Sequence, residues 1–227
     1  MAHLSAPDFR HKDTRNSAIA FNLAVIALLT LLAGLGFAYM LDMARNAGPN
    51  APSLNSQSPI VKKTIAGQRL AIPSEWFRFE AQKTTEFSEQ IDLMFALPIG
   101  PEGAPAIIDV ALMPRSSVRP SNRLLDSVYL HQFLETQLQG PPGLVGKPLR
   151  PAEGFQNETV WYDPVSPDPF VAKCMPLIDN PDDATCMRTI LVTDQMAATY
   201  VFDAKLLYAW KRFDAEAQRW LSRIGGI

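Results

Sequence analysis

Cysteine and histidine are scarce in this chain. Of 227 residues two are Cys and three are His, and only His131 lies outside the first eleven residues. That stock disfavours a tetrahedral zinc site, and there is no CxxC for metal binding or thiol exchange. GxSxG and SxxK are both missing, so neither serine-nucleophile signature is available. His131 is the one imidazole base on offer, in a half-apolar run beside Tyr129 and Phe133, where a structural role is the simpler reading. GPEG and GPPG carry prolines, which lack the N–H a phosphate cradle uses, and neither leads into a clear helix; both read as turns. Charge of one sign is also lacking. The formal net charge is −2 and no long basic run occurs, which argues against nucleic acid as a partner. Two cysteines are too few for a disulfide scaffold, so a chain that is 47% apolar and 19% charged must rest on a hydrophobic core.

What the chain does have is one long uncharged run. Ala18 to Leu41 reads AIAFNLAVIALLTLLAGLGFAYML, with Asn22 and Thr30 as its polar interruptions. At about 1.5 Å rise per residue it reaches roughly 36 Å, enough for a hydrocarbon core of about 30 Å. It is longer than a cleaved signal's apolar region, and DMARNAGPN after it is a poor cleavage site, so an uncleaved signal anchor fits better. Arg10, Lys12 and Arg15 precede the run, whereas Arg45 follows it close to Asp42. The positive-inside rule then places the N-terminus in the cytoplasm and the remainder outside, in the periplasm of a bacterial cell. Gly34 with Ala38, and Ala20 with Ala24, are small-xxx-small pairs; with Asn22 they are candidate transmembrane contacts.

The expected organisation is a cytoplasmic tail at 1–17, a transmembrane helix at 18–41, a flexible linker at 42–59 and a periplasmic domain at 60–227. The linker reading rests on its Asn, Ser, Pro and Ala. The domain's signals are mainly strand-like. IVKKT and RLAIP flank AGQ, a hairpin turn; QIDLMFAL and AIIDVALM alternate across PIGPEGAP as a second hairpin; ETVWYDP, FVAKCMP, CMRTILV and ATYVFD extend the series. GPPGLVGKP reads as loop or edge. Residues 121–137 fit either a helix capped by Ser121 or an alternating strand, and the alternation of Val128, Leu130 and Leu134 tips the reading toward strand, with a short helical lead-in as the variant. The last element is a clear helix. Leu206, Trp210, Phe213, Ala217, Trp220 and Ile224 form one apolar stripe, Asp203 is a plausible N-cap, and Gly225 and Gly226 stop it. The predicted fold class is α+β: an antiparallel sheet with this amphipathic helix packed on it.

In an oxidising compartment Cys174 and Cys186 are expected to pair. They flank IDNPDDAT, and a hairpin centred near Asn180 would set them directly opposite each other. Asp163, Asp168, Asp179, Asp182 and Asp183 are dense, but DNPDD lacks the glycine and terminal glutamate of a calcium loop, and turn chemistry accounts for it without a metal. Trp76, Trp161 and Tyr162 are candidates for a ligand cleft, with core packing as the plainer alternative.

RLLDSVYLHQFLE, then GPPGL, then PFVAKC and a second cysteine before MRTI, then FDAKLLYAW, follow one another in an order that resembles an uncharacterised alphaproteobacterial family of single-pass membrane-anchored proteins with a periplasmic domain. The resemblance covers most of the chain from about Ile60; it implies an inner-membrane anchor and carries over no catalytic residue. The expected function is a non-catalytic interaction protein, an accessory or assembly partner of an envelope complex. Its partners would be the lipid bilayer and a membrane or periplasmic protein, with no cofactor. The alternative is a periplasmic binding module for a small ligand or envelope polymer. An enzyme would require a cleft gathering His131 with one of the aspartates.

Overall fold

The computed structural model describes residues 52–151, 157–178, 180 and 183–226, together with residues 25, 28, 30–32 and 34, which are helical. Among these, no helix is long and apolar enough to cross a membrane. Most of the 18–41 run, Asn22 and Ala38 included, lies outside the described residues. Gly34 is exposed, with open space where a Cβ would stand.

Among the described residues, alternation of apolar side chains produces nine strands. β1 (Ile60–Ile65) and β2 (Gln68–Pro73) form a hairpin of their own, closed by Ala66 and Gly67. Both turn residues have positive φ, 49° and 77°, the twist a two-residue hairpin requires. The other seven form one antiparallel sheet. β3 (Ile91–Leu97) and β4 (Ala106–Pro114) are a hairpin, and β5 (Val145–Pro148), β6 (Thr159–Tyr162), β7 (Val171–Pro176), β8 (Ala184–Leu191) and β9 (Met196–Asp203) form a meander. β9 pairs with β4, so the order across the sheet is β3-β4-β9-β8-β7-β6-β5. GPPGLVGKP thus supplies an edge strand.

One face of the sheet carries the main core. Ile91, Leu93, Phe95, Leu97, Ile108, Val110 and Leu112 are each at most 1% exposed, as are Met196, Ala198 and Tyr200 of β9. Against them lies α2 (Trp210–Arg223), which follows α1 (Ser121–Ser127) in the chain. Trp220 stacks on Phe95 at 5.1 Å and meets Trp76 at 4.5 Å, while Phe213 touches Phe202 at 4.6 Å and Tyr200 at 5.5 Å. Each such buried aromatic contributes on the order of 2 kcal/mol by area alone. The β1–β2 hairpin closes the helix C-terminus: Ala71 N–H donates to Ile224 C=O at 3.0 Å and the Gln68 amide to Gly225 C=O at 2.9 Å. The other face is covered at its β6–β7 end by α1 and the tight turn Tyr129–His131, where Leu125, Tyr129, Leu149, Val160 and Val171 form a smaller core.

Three expectations change. Residues 121–137 are not a strand: Pro120 starts α1, Leu125 and Tyr129 repeat at helical spacing onto β6 and β7, and only single bridges, Phe133 to Leu149 and Leu138 to Gly146, echo the alternation. Asp203 caps a 3₁₀ turn, Ala204–Ala209, by accepting from Lys205 N–H at 2.7 Å, and α2 begins only at Trp210 with Ala209 as its N-cap. The end of the expected linker is folded. Pro52 is buried, Ser53 C=O accepts from the Trp76 indole at 3.0 Å, and Pro59 C=O accepts from Ser74 N–H at 2.8 Å.

Candidate functional site

The register that sets Cys174 against Cys186 brings their Cα atoms to 3.9 Å and their sulfurs to bonding distance. That register ends at Lys173 opposite Met187. Continued, it would oppose Val171 to Thr189 and Pro169 to Leu191. Proline has no N–H to donate, so β7 cannot extend its ladder through Pro169. The two strands have already parted at Val171 and Thr189. The groups that would have bonded to each other find other partners: Thr189 N–H donates to Ser121 Oγ at 2.8 Å, and Val171 C=O accepts from Arg188 Nη1 at 3.2 Å. α1 props the opening, with the Asn122 amide donating to Asp168 Oδ1 at 2.6 Å.

A cavity of about 370 Å³ occupies this parting, bounded by the start of α1, the Asp168–Pro169 corner, the end of β8 and the Asp214–Leu221 side of α2. Arg188, only 6% exposed, crosses it. Its Nε and Nη2 donate to Asp214 Oδ1 and Oδ2 at 3.0 and 2.6 Å, and its guanidinium lies 4.3 Å from the Phe170 ring centroid. These bonds and the one to Val171 use three of the five N–H groups an arginine carries. Tyr200, opposite Arg188 on β9, is fully buried, and its hydroxyl finds no partner among the described residues. Burial, and secondarily the Asp214 charge, push its ionisation far above the ordinary tyrosine range, so it remains an O–H donor. Beneath α1, Thr189 and Thr199 hydroxyls meet at 2.9 Å.

A second surface lies on the sheet face away from α2, toward β3, β4 and β9. Strand alternation gathers Met94, Met113 and Met187 there with Ala96, Ile107, Ala111 and Val201. Ile107 and Met187 are 45% and 38% exposed, Ala96, Ala111, Met113 and Val201 are half-buried, and Met94 is buried. Arg78 reaches Asp109 at 2.6 Å across it. Burial raises the Asp109 carboxyl above its usual range and Asp92 adds to this, against the lowering effect of Arg78.

The candidate cleft residues do not converge. Trp76 is wholly buried in the main core. Trp161 and Tyr162 are consecutive on β6 and face opposite ways: Tyr162 stacks on Phe133 at 5.8 Å, and Trp161 lies on Gly140 and Gly146, where a Cβ would come within 2.1 and 2.5 Å of its ring. Trp161 does line a shallower depression of about 470 Å³ with the exposed Tyr208. His131 is exposed beside α1, and the Arg188 cavity holds Asp168 and Asp214 but not His131. Asp179 and Asp182 lie outside the described residues, while Asp183 pairs with Lys205 at 2.8 Å. The residue missed from sequence is Arg188. Its signal was position: two residues after Cys186 and two before Ile190, it alternates onto the core face, where a charge needs a carboxylate partner.

No protein-family model, curated protein or solved structure matches this chain.

Proposed function

We propose that the chain is a membrane-tethered, non-catalytic interaction protein, held by residues 18–41 with its N-terminus in the cytoplasm and its folded domain in the periplasm. There it serves as an accessory or assembly partner of an envelope complex. The observation that carries the reading is the open apolar half of the sheet face, with Ile107, Met113 and Met187 on it. Methionine side chains are unbranched and polarisable and adapt to a facing surface, which suits them to protein contacts. Exposed apolar residues gathered on one face and crossed by an ion pair have the make-up of a docking patch. The uncharged 24-residue run and the resemblance to membrane-anchored proteins support the tether.

The test replaces Ile107 and Met187 by Lys in the full chain, at native expression level, and recovers it from membranes in mild detergent. The native chain brings down a stoichiometric partner, and the doubly substituted chain, melting at the same temperature, does not. A native chain that emerges alone, or a partner that survives both substitutions, overturns the proposal. The second reading, a binding module for a small ligand or envelope polymer, is favoured by the cavity around Arg188.

A further inference from the structure

In an antiparallel ladder the main-chain groups of successive residues point to alternate neighbours. Val192 N–H donates to Met196 C=O at 2.9 Å, so the even-numbered residues at this end of β8 serve β9. Thr189 and Leu191 therefore turn their main-chain groups to the opposite side, where β7 would lie. β7 has left by that point, and among the described residues no strand replaces it. Thr189 N–H is held by Ser121. Thr189 C=O and both main-chain groups of Leu191 are left directed into the cavity that Thr189 and Leu191 line. An inner strand of the sheet thus has a short free edge, and that edge is recessed rather than at the rim.

We propose that this recess takes an extended peptide segment, which adds to β8 at Thr189–Leu191 as a short strand in the place β7 vacates. The inference deepens the binding-module reading and rests on it, independently of the open sheet face. An alternating N–H and C=O edge is the complement of a peptide main chain and of little else of that size. The polar lining points the same way. Arg188 is neutralised by Asp214, so the floor offers hydrogen-bond donors, two remaining guanidinium N–H groups and the Tyr200 O–H, without a net charge to attract an ion. The complement is a neutral acceptor: a main-chain carbonyl or the side chain of Asn or Gln. A cavity of about 370 Å³ is at the small end of ligand sites, enough for a few residues and too small for a folded domain. Main-chain bonds supply affinity in such strand addition, and the flanking pockets supply selectivity.

The premise and the proposal are tested separately on the full chain in mild detergent. Amide hydrogen exchange first reads Leu191: its N–H exchanges fast while those of Arg188 and Ile190, bonded to β9, are protected. A protected Leu191 in the free protein overturns the proposal. A displayed library of random heptapeptides is then panned against the native chain and counter-selected against Leu191→Pro, which removes the free N–H but no bond to β9. Enriched peptides, resynthesised, protect Leu191 and lose at least about tenfold in affinity on Leu191→Pro or on N-methylation of alternate peptide amides. Gln218→Trp, at an exposed helix position on the cavity mouth, weakens them likewise without touching the sheet, and covers the case of a Pro variant that folds poorly. A library yielding no peptide that distinguishes the native chain from Gln218→Trp overturns the proposal. The Ile107 and Met187 substitutions leave peptide binding unchanged, so failure here and failure of the sheet-face reading are told apart.

Discussion

At Arg188 a full charge is held at 7% side-chain exposure by one carboxylate, one main-chain oxygen and one aromatic face. Removing one partner of a buried ion pair strands the other, at about 3–5 kcal/mol when both are enclosed. Asp214 is 44% exposed, so solvent takes up part of that loss, and Asp214→Asn is expected to cost about 2 kcal/mol in urea unfolding. Replacing both partners, Arg188→Met with Asp214→Leu, costs far less, because no charge is left behind. Asp109 behaves in the opposite sense. Its folded-state carboxyl sits above the unfolded value, so between the two the folded chain binds more protons than the unfolded one. Stability from this group therefore falls as pH rises through that window, and the deficit is complete above the folded value. Asp109→Asn should be more stable than the native chain at neutral pH, and the difference should vanish as pH falls below about 4, where the unfolded chain's aspartate is protonated too. Equilibrium unfolding at a series of pH values reads both arms.

At the scale of elements, the β7–β8 hairpin is the part most constrained by local chemistry. The Cys174–Cys186 pair, twelve residues apart, closes it, and the Lys205 to Asp183 ion pair ties its turn to the end of β9. Reduction, or replacement of both cysteines by Ser, is expected to lower stability by about 3 kcal/mol in the chain-entropy account of a short closed loop. The check is a melting curve with and without reductant, alongside thiol alkylation of freshly isolated protein, which should label nothing. This hairpin was legible because both halves alternate and the turn residues sit midway between the cysteines. Residues 121–137 were not, because Val128, Leu130 and Leu134 satisfy a period of two by chance while Leu125 and Tyr129 satisfy the helical one; burial against Val160 and Val171 decided between them. The C-terminal helix was legible from its stripe, yet its first predicted turn, around Leu206, winds as 3₁₀ before α2.

For the whole molecule, the proposed tether predicts a sidedness that can be measured. Protease added to spheroplasts should remove the folded domain and leave a protected fragment containing the first 17 residues, while added to inverted membrane vesicles it should trim that tail and spare the domain. The reverse pattern would sink the proposed topology. In the described part of the molecule, the sheet joins a local hairpin, β3–β4, to a distant meander through β4 and β9, with Val110 opposite Tyr200 and Leu112 opposite Ala198. That junction creates both surfaces: the main core under α2 and the open apolar face behind it.

The amino-acid sequence by itself determined what depends on neighbours along the chain: the alternation that makes the strands, the turn at Ala66–Gly67, the pairing of the two cysteines, the stripe of α2, and the proline through which β7 cannot extend. The strand order, the partner of Arg188 and the recess beside Leu191 were decided only by the tertiary structure. Pro169 is a local signal, but it borders a cavity only because the register carries it opposite Leu191 and because α1, from 46 residues earlier, bonds Asp168 through Asn122. Such contacts are chosen by the burial of one whole face against another, and no window of sequence contains both sides of that comparison.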